Sequence, residues 1–264
     1  MNIGFIGCGN MGGALIKGIL SQQIAKPSEV FASDKGKDTN QIRKEFGEIS
    51  AVETNIKVVK SSDLVILSIK PQYYEEVIRE IKDVVTKDQL VISIAPGKTL
   101  EWLEKQFQKP VKLVRVMPNT PALVGEGMMA TCIGELVSKE EAQVVIQLLA
   151  SCGRVEVVDE SLMDVVVSVS GSSPAYVFLF IEAMADAAVA DGMPRAMAYE
   201  FAAQSVLGSA KLLLETKKHP GELKDMVCSP AGTTIEAVRV LEEKGFRSSV
   251  IEAMKACTKK AKEV

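Results

Sequence analysis

The first dozen residues, MNIGFIGCGNMG, constrain this chain more than any other stretch. An apolar run, Ile3-Gly4-Phe5-Ile6, leads into G-x-G-x-x-G at Gly7, Gly9 and Gly12, and Gly13-Ala14-Leu15-Ile16-Lys17-Gly18-Ile19-Leu20 follows at once. That order is strand, tight turn, helix. In such a turn the first glycine permits the bend, the second lets a pyrophosphate approach the backbone, and the third lets helix and strand pack closely. The free N–H groups of the helix start then face the phosphates, with the positive end of the helix dipole behind them. A glycine-rich turn can also arise by chance. The strand before it and the helix after it favour the dinucleotide reading.

The same alternation continues to about residue 158. Strands are expected at 3–7, 30–34, 64–69, 90–95, 111–117, 128–133 and 154–158, with helical stretches such as 73–85 and 138–151 between them. Leu64-Val65-Ile66-Leu67-Ser68-Ile69 is apolar on both faces, as a buried parallel strand should be. Repeated βαβ units imply an α/β, doubly wound parallel sheet. After Asp159 the chain reads as helix, apart from one possible strand at 165–169 and breaks near Gly171, Gly192, His219, Ser229 and Gly245. Two domains are therefore expected, 1–159 and an all-α 160–264.

Composition narrows the function classes. Lys+Arg total 31 against 34 Asp+Glu, so no basic excess exists to bind a nucleic acid. The five cysteines, Cys8, Cys132, Cys152, Cys228 and Cys257, form no C-x-x-C pair and suggest reduced thiols in a cytoplasmic protein. The start of the chain lacks the basic region of a signal peptide. The most apolar later stretch, 174–189, is interrupted by Glu182 and Asp186 and reads as too short and too charged for a membrane span. It is apolar nearly all round, so a second subunit is expected to cover it.

Asp34 stands at the end of the second strand, where an acid accepts ribose hydroxyls in NAD-type sites. Ser33, Lys35 and Lys37 flank it, and a lysine there could hold a 2′-phosphate. Asp34 could equally be a turn residue before Gly36. The residues leave NADH against NADPH open. The next strand ends, Lys70-Pro71-Gln72, Ala95-Pro96-Gly97 and Met117-Pro118-Asn119-Thr120-Pro121, would line the same cleft.

Many dehydrogenases protonate a developing alkoxide with histidine or lysine. Here the single histidine, His219, precedes Pro220-Gly221 and reads as a cap or turn residue. Lys211 and Lys224 read as surface charges, and no metal-ligand cluster is evident. Small hydroxyls remain. Ser168-Val169-Ser170-Gly171-Ser172-Ser173-Pro174 and Ser229-Pro230-Ala231-Gly232-Thr233-Thr234-Ile235 each read as a helix start rich in hydroxyls, either an anion pocket or ordinary capping. A carboxylated substrate with no strong protein acid suits imine reduction. A protonated imine is already positive, so hydride addition neutralises charge rather than creating it.

At these residues the chain resembles the pyrroline-5-carboxylate reductases. The resemblance rests on Gly7-Cys8-Gly9-Asn10-Met11-Gly12, Ser68-Ile69-Lys70-Pro71, Met117-Pro118-Asn119-Thr120-Pro121 and Ser170-Gly171-Ser172-Ser173-Pro174-Ala175-Tyr176. The most specific match runs from Pro220 through the Cys228–Ile235 cluster to Gly245-Phe246-Arg247. It implies an N-terminal Rossmann-type domain, a helical dimerisation domain, and reduction of 1-pyrroline-5-carboxylate to L-proline in the cytoplasm. NADPH is the expected cofactor, with NADH also accepted. The dimers of the family interlock, often within decamers.

Cofactor contacts would fall on Gly7, Gly9, Asn10, Met11, Gly12, Ser33 or Asp34, Asn55, Lys70, Pro71, Ala95, Gly97 and Asn119. Substrate contacts would fall on Gly171, Ser172, Ser173, Ser229, Gly232, Thr233 and Thr234, with Thr234 at the ring nitrogen. Ala231 and Ser173 replace frequent glycines, and Asp34 stands where many relatives carry serine. Two other readings compete: a β-hydroxyacid dehydrogenase or related imine reductase, and a non-catalytic NAD(P)-sensing module. The former would use a lysine on the first interdomain helix, and 176–191 contains none.

Overall fold

The computed structural model describes residues 1–263. They form two compact units: residues 1–172 together with the chain end from Cys257, and Ser173–Ala256.

The first unit is built on an eight-stranded sheet: β1 (Ile3–Ile6), β2 (Val30–Ser33), β3 (Ser50–Ala51), β4 (Leu64–Leu67), β5 (Leu90–Ser93), β6 (Lys112–Met117), β7 (Gly127–Ile133) and β8 (Gly153–Val157). Their order is β3-β2-β1-β4-β5-β6-β7-β8. From β3 to β6 every pairing is parallel. The sequence reading missed β3, which has only two residues. The expectation of a wholly parallel sheet fails at β7, which pairs antiparallel with β6, while β8 runs parallel to β7. The β6–β7 link holds only a 3₁₀ turn, Thr120–Val124, and is too short for a crossover helix.

Strand alternation divides the core. Ile3, Phe5, Leu64, Ile66 and Ile92 face one layer with Leu15, Ile19 and Leu149. Ile6, Val65, Leu67 and Val91 face the other with Ile78, Leu103 and Phe107. The first layer brings in α1 (Asn10–Ser21), α2 (Thr39–Phe46) and α6 (Lys139–Ala150). The second brings in α3 (Asn55–Lys60), α4 (Tyr74–Ile81) and α5 (Leu100–Phe107). Asp38 and Ser138 cap α2 and α6 through capping boxes, whereas Gly9 gives α1 no side-chain cap.

The sheet ends at Val157 and helix begins at Glu160, where the composition changes. The compact unit nevertheless extends to Ser172 because the start of this helical run packs on the sheet. Met163 in α7 (Met163–Val166) is buried with Ala130 and Cys132, and Val166 lies against them. Glu160 also accepts from Arg115 Nη1 at 2.8 Å and from the Leu100 N–H at 2.9 Å. Residues 165–169 are therefore not a strand. Their apolar side chains are used at helical spacing, in α7 and in the π-helical segment Val167–Gly171.

The helical run from Glu160 to Ala190 counts 31 residues, with a bend at Ser172. By length and composition alone that run could cross a membrane, while the 174–189 stretch inside it is shorter and carries Glu182 and Asp186. In the second unit α8 (Ser173–Ala190) and α9 (Arg195–Thr216) pair through Ala185, Ala198 and Ala202. α10 (Pro220–Val227), α11 (Thr233–Glu243) and α12 (Phe246–Ala261) follow. Large apolar side chains stay exposed in the single chain, among them Phe178 (63%), Leu179 (68%), Phe201 (63%) and Leu214 (62%).

All five cysteines are free thiols; Cys8, Cys132 and Cys152 are buried. Burial, reinforced by the Asp34 charge, pushes the Cys8 thiol up to about 12. Burial also raises Cys132 and Cys152. The thiolate is the reactive form, so these three stay inert below their raised values. At pH 8 an aromatic disulfide reagent is expected to titrate rapidly no more than Cys228 and Cys257, and all five after denaturation. Three or more fast thiols in the native protein would contradict this packing.

Candidate functional site

Because β1 to β6 are parallel, their carboxyl ends share one edge of the sheet. Gly7, Asp34, Lys70, Ala95 and Asn119 follow β1, β2, β4, β5 and β6 there, and Asn55 begins α3 just after β3. The strand order reverses between β1 and β4, and ligands of such sheets bind at that switch point. Gly7 has φ +100°, and a Cβ on it would lie 2.5 Å from the Ser68 carbonyl oxygen. A Cβ on Gly12 would lie 2.5 Å from the Gly7 carbonyl oxygen and 2.6 Å from Ser68 Oγ. A Cβ on Gly9 would meet nothing within 4 Å. Two glycines thus let α1 close on the strands, and the third leaves an open approach. The first N–H groups of α1, at Asn10, Met11 and Gly12, have no intrahelical acceptor and no capping side chain. These features fit the pyrophosphate of a dinucleotide.

Ser68 was missed as a site residue. Its hydroxyl donates to the Gly7 carbonyl at 2.6 Å and fixes the turn from β4. It stood in the Ser68-Ile69-Lys70-Pro71 match, yet nothing in that tetrapeptide reveals a partner 61 residues away.

Asp34 is half-buried and holds the glycine turn. One carboxylate oxygen accepts from the Cys8 N–H at 2.6 Å and the other from the Gly36 N–H at 2.7 Å. Lys37 Nζ donates to the Cys8 carbonyl at 2.8 Å and pairs with Glu45 at 2.5 Å. Lys35 pairs with Glu76 at 3.2 Å. Both lysines beside Asp34 already face carboxylates. Ser33 is buried and donates to Asn55 Oδ1 at 2.8 Å, so Asp34 is the one presented at the edge. Asn55 in turn donates to Glu80 at 2.7 Å. Lys70 is exposed and Pro71 opens a 3₁₀ turn after β4; Ala95 is buried, and Gly97 has φ +73°. Asn119 is 8% exposed and both ends of its amide are engaged. Its Oδ1 accepts from the Met128 N–H at 2.8 Å and its Nδ2 donates to the Ser170 carbonyl at 3.0 Å.

That last bond brings Ser170, Gly171 and Ser172 to the same edge. The expectation that this serine cluster opens a helix is overturned. The Ser172 N–H donates to the Val167 carbonyl at 2.7 Å inside the π turn, so no free helix start faces outward there. Ser173 continues the run as the first residue of α8.

The second hydroxyl cluster does open a helix. α11 begins at Thr233 after Gly232, which supplies no side-chain cap. The Gly232 N–H donates to the Ser229 carbonyl at 3.0 Å, closing a turn with Ala231 at φ +56°. This left-handed conformation favours glycine, which explains why the alanine there is a departure. A Cβ on Gly232 would lie 2.3 Å from Ser229 Oγ. Among the described residues the hydroxyls of Ser229, Thr233 and Thr234 meet no hydrogen-bond partner within the chain. An uncapped helix start with three unspent hydroxyls can hold a carboxylate and still offer a donor. The remaining candidates are structural: His219 caps α10 by accepting from the Gly221 N–H at 3.1 Å, exposed Lys211 pairs with Glu215, and half-buried Lys224 pairs with Asp225.

A family model described as pyrroline-5-carboxylate reductase dimerisation matches residues 160–264. A pyrroline-5-carboxylate reductase of Escherichia coli is 50% identical over 99% of this chain and 97% of its own length. The chain belongs to the pyrroline-5-carboxylate reductase family. Solved structures agree. A pyrroline-5-carboxylate reductase of Coxiella burnetii superposes with a TM-score of 0.92 at 34% identity, covering 99% of this chain and 97% of that one. A Plasmodium falciparum pyrroline carboxylate reductase with NADP bound gives 0.89 at 32% identity, covering 100% and 97%. Residues 2–97 also match a model described as NADP oxidoreductase, coenzyme F420-dependent. With a dimerisation region over 160–264, the exposed apolar surface of the second unit has a natural cover: the chain self-associates.

Proposed function

We propose that this protein reduces 1-pyrroline-5-carboxylate to L-proline, as the last step of proline biosynthesis, with NADPH as cofactor and NADH also accepted. The full-length likeness to the Escherichia coli reductase carries this reading, and the uncapped start of α11 supports it. NADPH is supported by the NADP bound in the Plasmodium relative. The working form is an interlocked dimer, with decamers built from it, in the cytoplasm, where five free thiols stay reduced.

The N–H groups of Asn10, Met11 and Gly12 hold the pyrophosphate, and Asp34 faces the adenosine ribose. Asn55, Lys70, Pro71, Ala95, Gly97 and Asn119 complete that side. Bound NADPH supplies the hydride. Ser229, Gly232 and Thr233 hold the substrate carboxylate at the α11 start, with Gly171, Ser172 and Ser173 of the partner subunit across the dimer interface. Thr234 hydrogen-bonds the ring nitrogen, its hydroxyl oxygen accepting from the N–H of the protonated imine. Because the substrate imine is protonated, hydride addition removes a charge, and a hydroxyl suffices where an alcohol dehydrogenase needs a stronger acid.

Cofactor oxidation followed at 340 nm tests the reading. Turnover is expected with the pyrroline carboxylate and not with 2-oxo or 3-hydroxy acids. Cofactor binding without turnover would favour a sensing module, and turnover of hydroxy acids the dehydrogenase reading.

Asp34 sets the cofactor ratio. A 2′-phosphate beside it meets like charge, and the two nearest lysines are already paired. Asp34→Ser is expected to shift the ratio of NADPH to NADH dissociation constants about tenfold toward NADPH, or roughly 1.4 kcal/mol. The ratio is the proper readout, because losing the Cys8 N–H bond loosens the turn toward both cofactors alike. A shift toward NADH would reverse the assignment, and a wild type favouring NADH more than tenfold would overturn the stated preference.

A further inference from the structure

The π-helical segment Val167–Gly171 and Ser172 after it are tied at alternate residues by α12 and by the loop after β6. Ser168 is 1% exposed; its hydroxyl donates to the Val165 carbonyl at 2.9 Å and accepts from Thr258 Oγ1 at 2.9 Å. The Ser170 carbonyl accepts from Asn119 at 3.0 Å. Ser172 Oγ accepts from the Cys257 thiol at 3.4 Å. Between these ties Met117 closes on Gly171, where a Cβ would stand 2.7 Å from Met117 Cε. These partners come from the end of β6, the loop after it, and the last turns of α12.

π turns are rare and occur mostly as single wide turns at functional sites. This one contains no residue that would enforce it alone, so its neighbours must. Thr258 bears directly on this. Ser168 already spends its proton on Val165, so Thr258 must be the donor. A mid-helix threonine ordinarily returns that proton to its own helix, whereas Thr258 sends it across to another. Relaxing one π turn to α spacing would rotate the following side chains by about 100°.

We infer that Thr258 and Asn119 are positioning residues for imine reduction: they hold the wide turn open so that Gly171 and Ser172 face the substrate. This rests on the reading of 171–173 as substrate residues. It gives Asn119 a second task beside its place on the cofactor side, and it links α12 to substrate affinity.

The test uses the full-length protein and three variants. Thr258→Val keeps the shape and removes the donor; Thr258→Ser keeps the donor. Asn119→Asp keeps the acceptor for Met128 and loses the donor to Ser170. Thr258→Val and Asn119→Asp are expected to raise KM for the pyrroline carboxylate at least fivefold. The NADPH dissociation constant of Thr258→Val, read by fluorescence without substrate, should stay within twofold. Thr258→Ser is expected to restore the wild-type KM. Independently of turnover, hydrogen exchange in a peptide spanning 167–172 should quicken at least fivefold in Thr258→Val and not in Thr258→Ser.

If the wild type turns over and Thr258→Val keeps its KM, the inference fails while the proposed function stands. If Asn119→Asp weakens NADPH and spares the substrate KM, Asn119 serves the cofactor alone and its part in the inference fails. If the wild type does not reduce the imine, the substrate reading of 171–173 fails and the inference with it. Unchanged exchange in Thr258→Val likewise overturns it.

Discussion

Gly12→Val is expected to weaken NADPH binding at least a hundredfold. The nearest obstacles to a Cβ at this position are the Gly7 carbonyl oxygen at 2.5 Å and Ser68 Oγ at 2.6 Å. The first is backbone and cannot swing aside. The second already donates to that same carbonyl, so displacing it frees the turn. The N-terminus of α1 must therefore retreat from the β1–β4 edge, taking the Asn10, Met11 and Gly12 N–H groups out of phosphate reach. Overpacking of this kind costs about 1–3 kcal/mol in strain. A hundredfold loss corresponds to about 2.7 kcal/mol of binding.

Gly9→Ala is the informative companion. Its added methyl meets nothing in the protein, so thermal stability should hold while affinity falls, because the methyl fills the approach itself. Fluorescence titration gives the affinities, and thermal melts separate lost binding from lost fold. An unchanged dissociation constant in Gly12→Val would mean that the dinucleotide lies elsewhere.

Thr234→Ala is expected to lower kcat about 10²- to 10³-fold with the NADPH dissociation constant unchanged. Thr234 sits in the first turn of α11, half-buried, with its hydroxyl unspent. Removing a single well-placed hydrogen-bonding group at a reacting centre has effects of about that size. Ser229→Ala and Thr233→Ala should act differently. Each loses a hydrogen bond to a charged carboxylate, worth roughly 1.5–3 kcal/mol, and should chiefly raise KM. Steady-state kinetics separate the two patterns. Unchanged kcat in Thr234→Ala would remove Thr234 from the chemistry, and a flat KM in the other two would move the carboxylate elsewhere.

What the sequence revealed was local. The glycine turn, the buried strands and the change to helix after Asp159 are each written in a few adjacent residues, and the structure keeps all three. His219 was also legible as a cap, because Pro220-Gly221 follows it directly. The failures share a different cause. Whether β7 turns back depends on how much chain separates it from β6, not on its own composition. The valine run at 165–169 has strand-like residues, yet helical packing on Ala130 and Cys132 decides its conformation. Ser172 looked like part of a helix start because nothing nearby announces a π turn. Its partners lie far away in sequence: Cys257 is 85 residues on, and the Asn119 tie to Ser170 spans 51. Contacts of that range come from the folded chain and leave no periodic trace.

The exposed apolar side chains of α8 and α9 carry a last consequence. A surface that self-association covers makes the resistance of this protein to heat a function of how much of it is present. Each tenfold dilution withdraws a fixed increment of free energy from the associated state, by mass action. A melting temperature measured at one concentration is then a point on a curve, and in a cell the same curve would tie the lifetime of each chain to the abundance of its siblings.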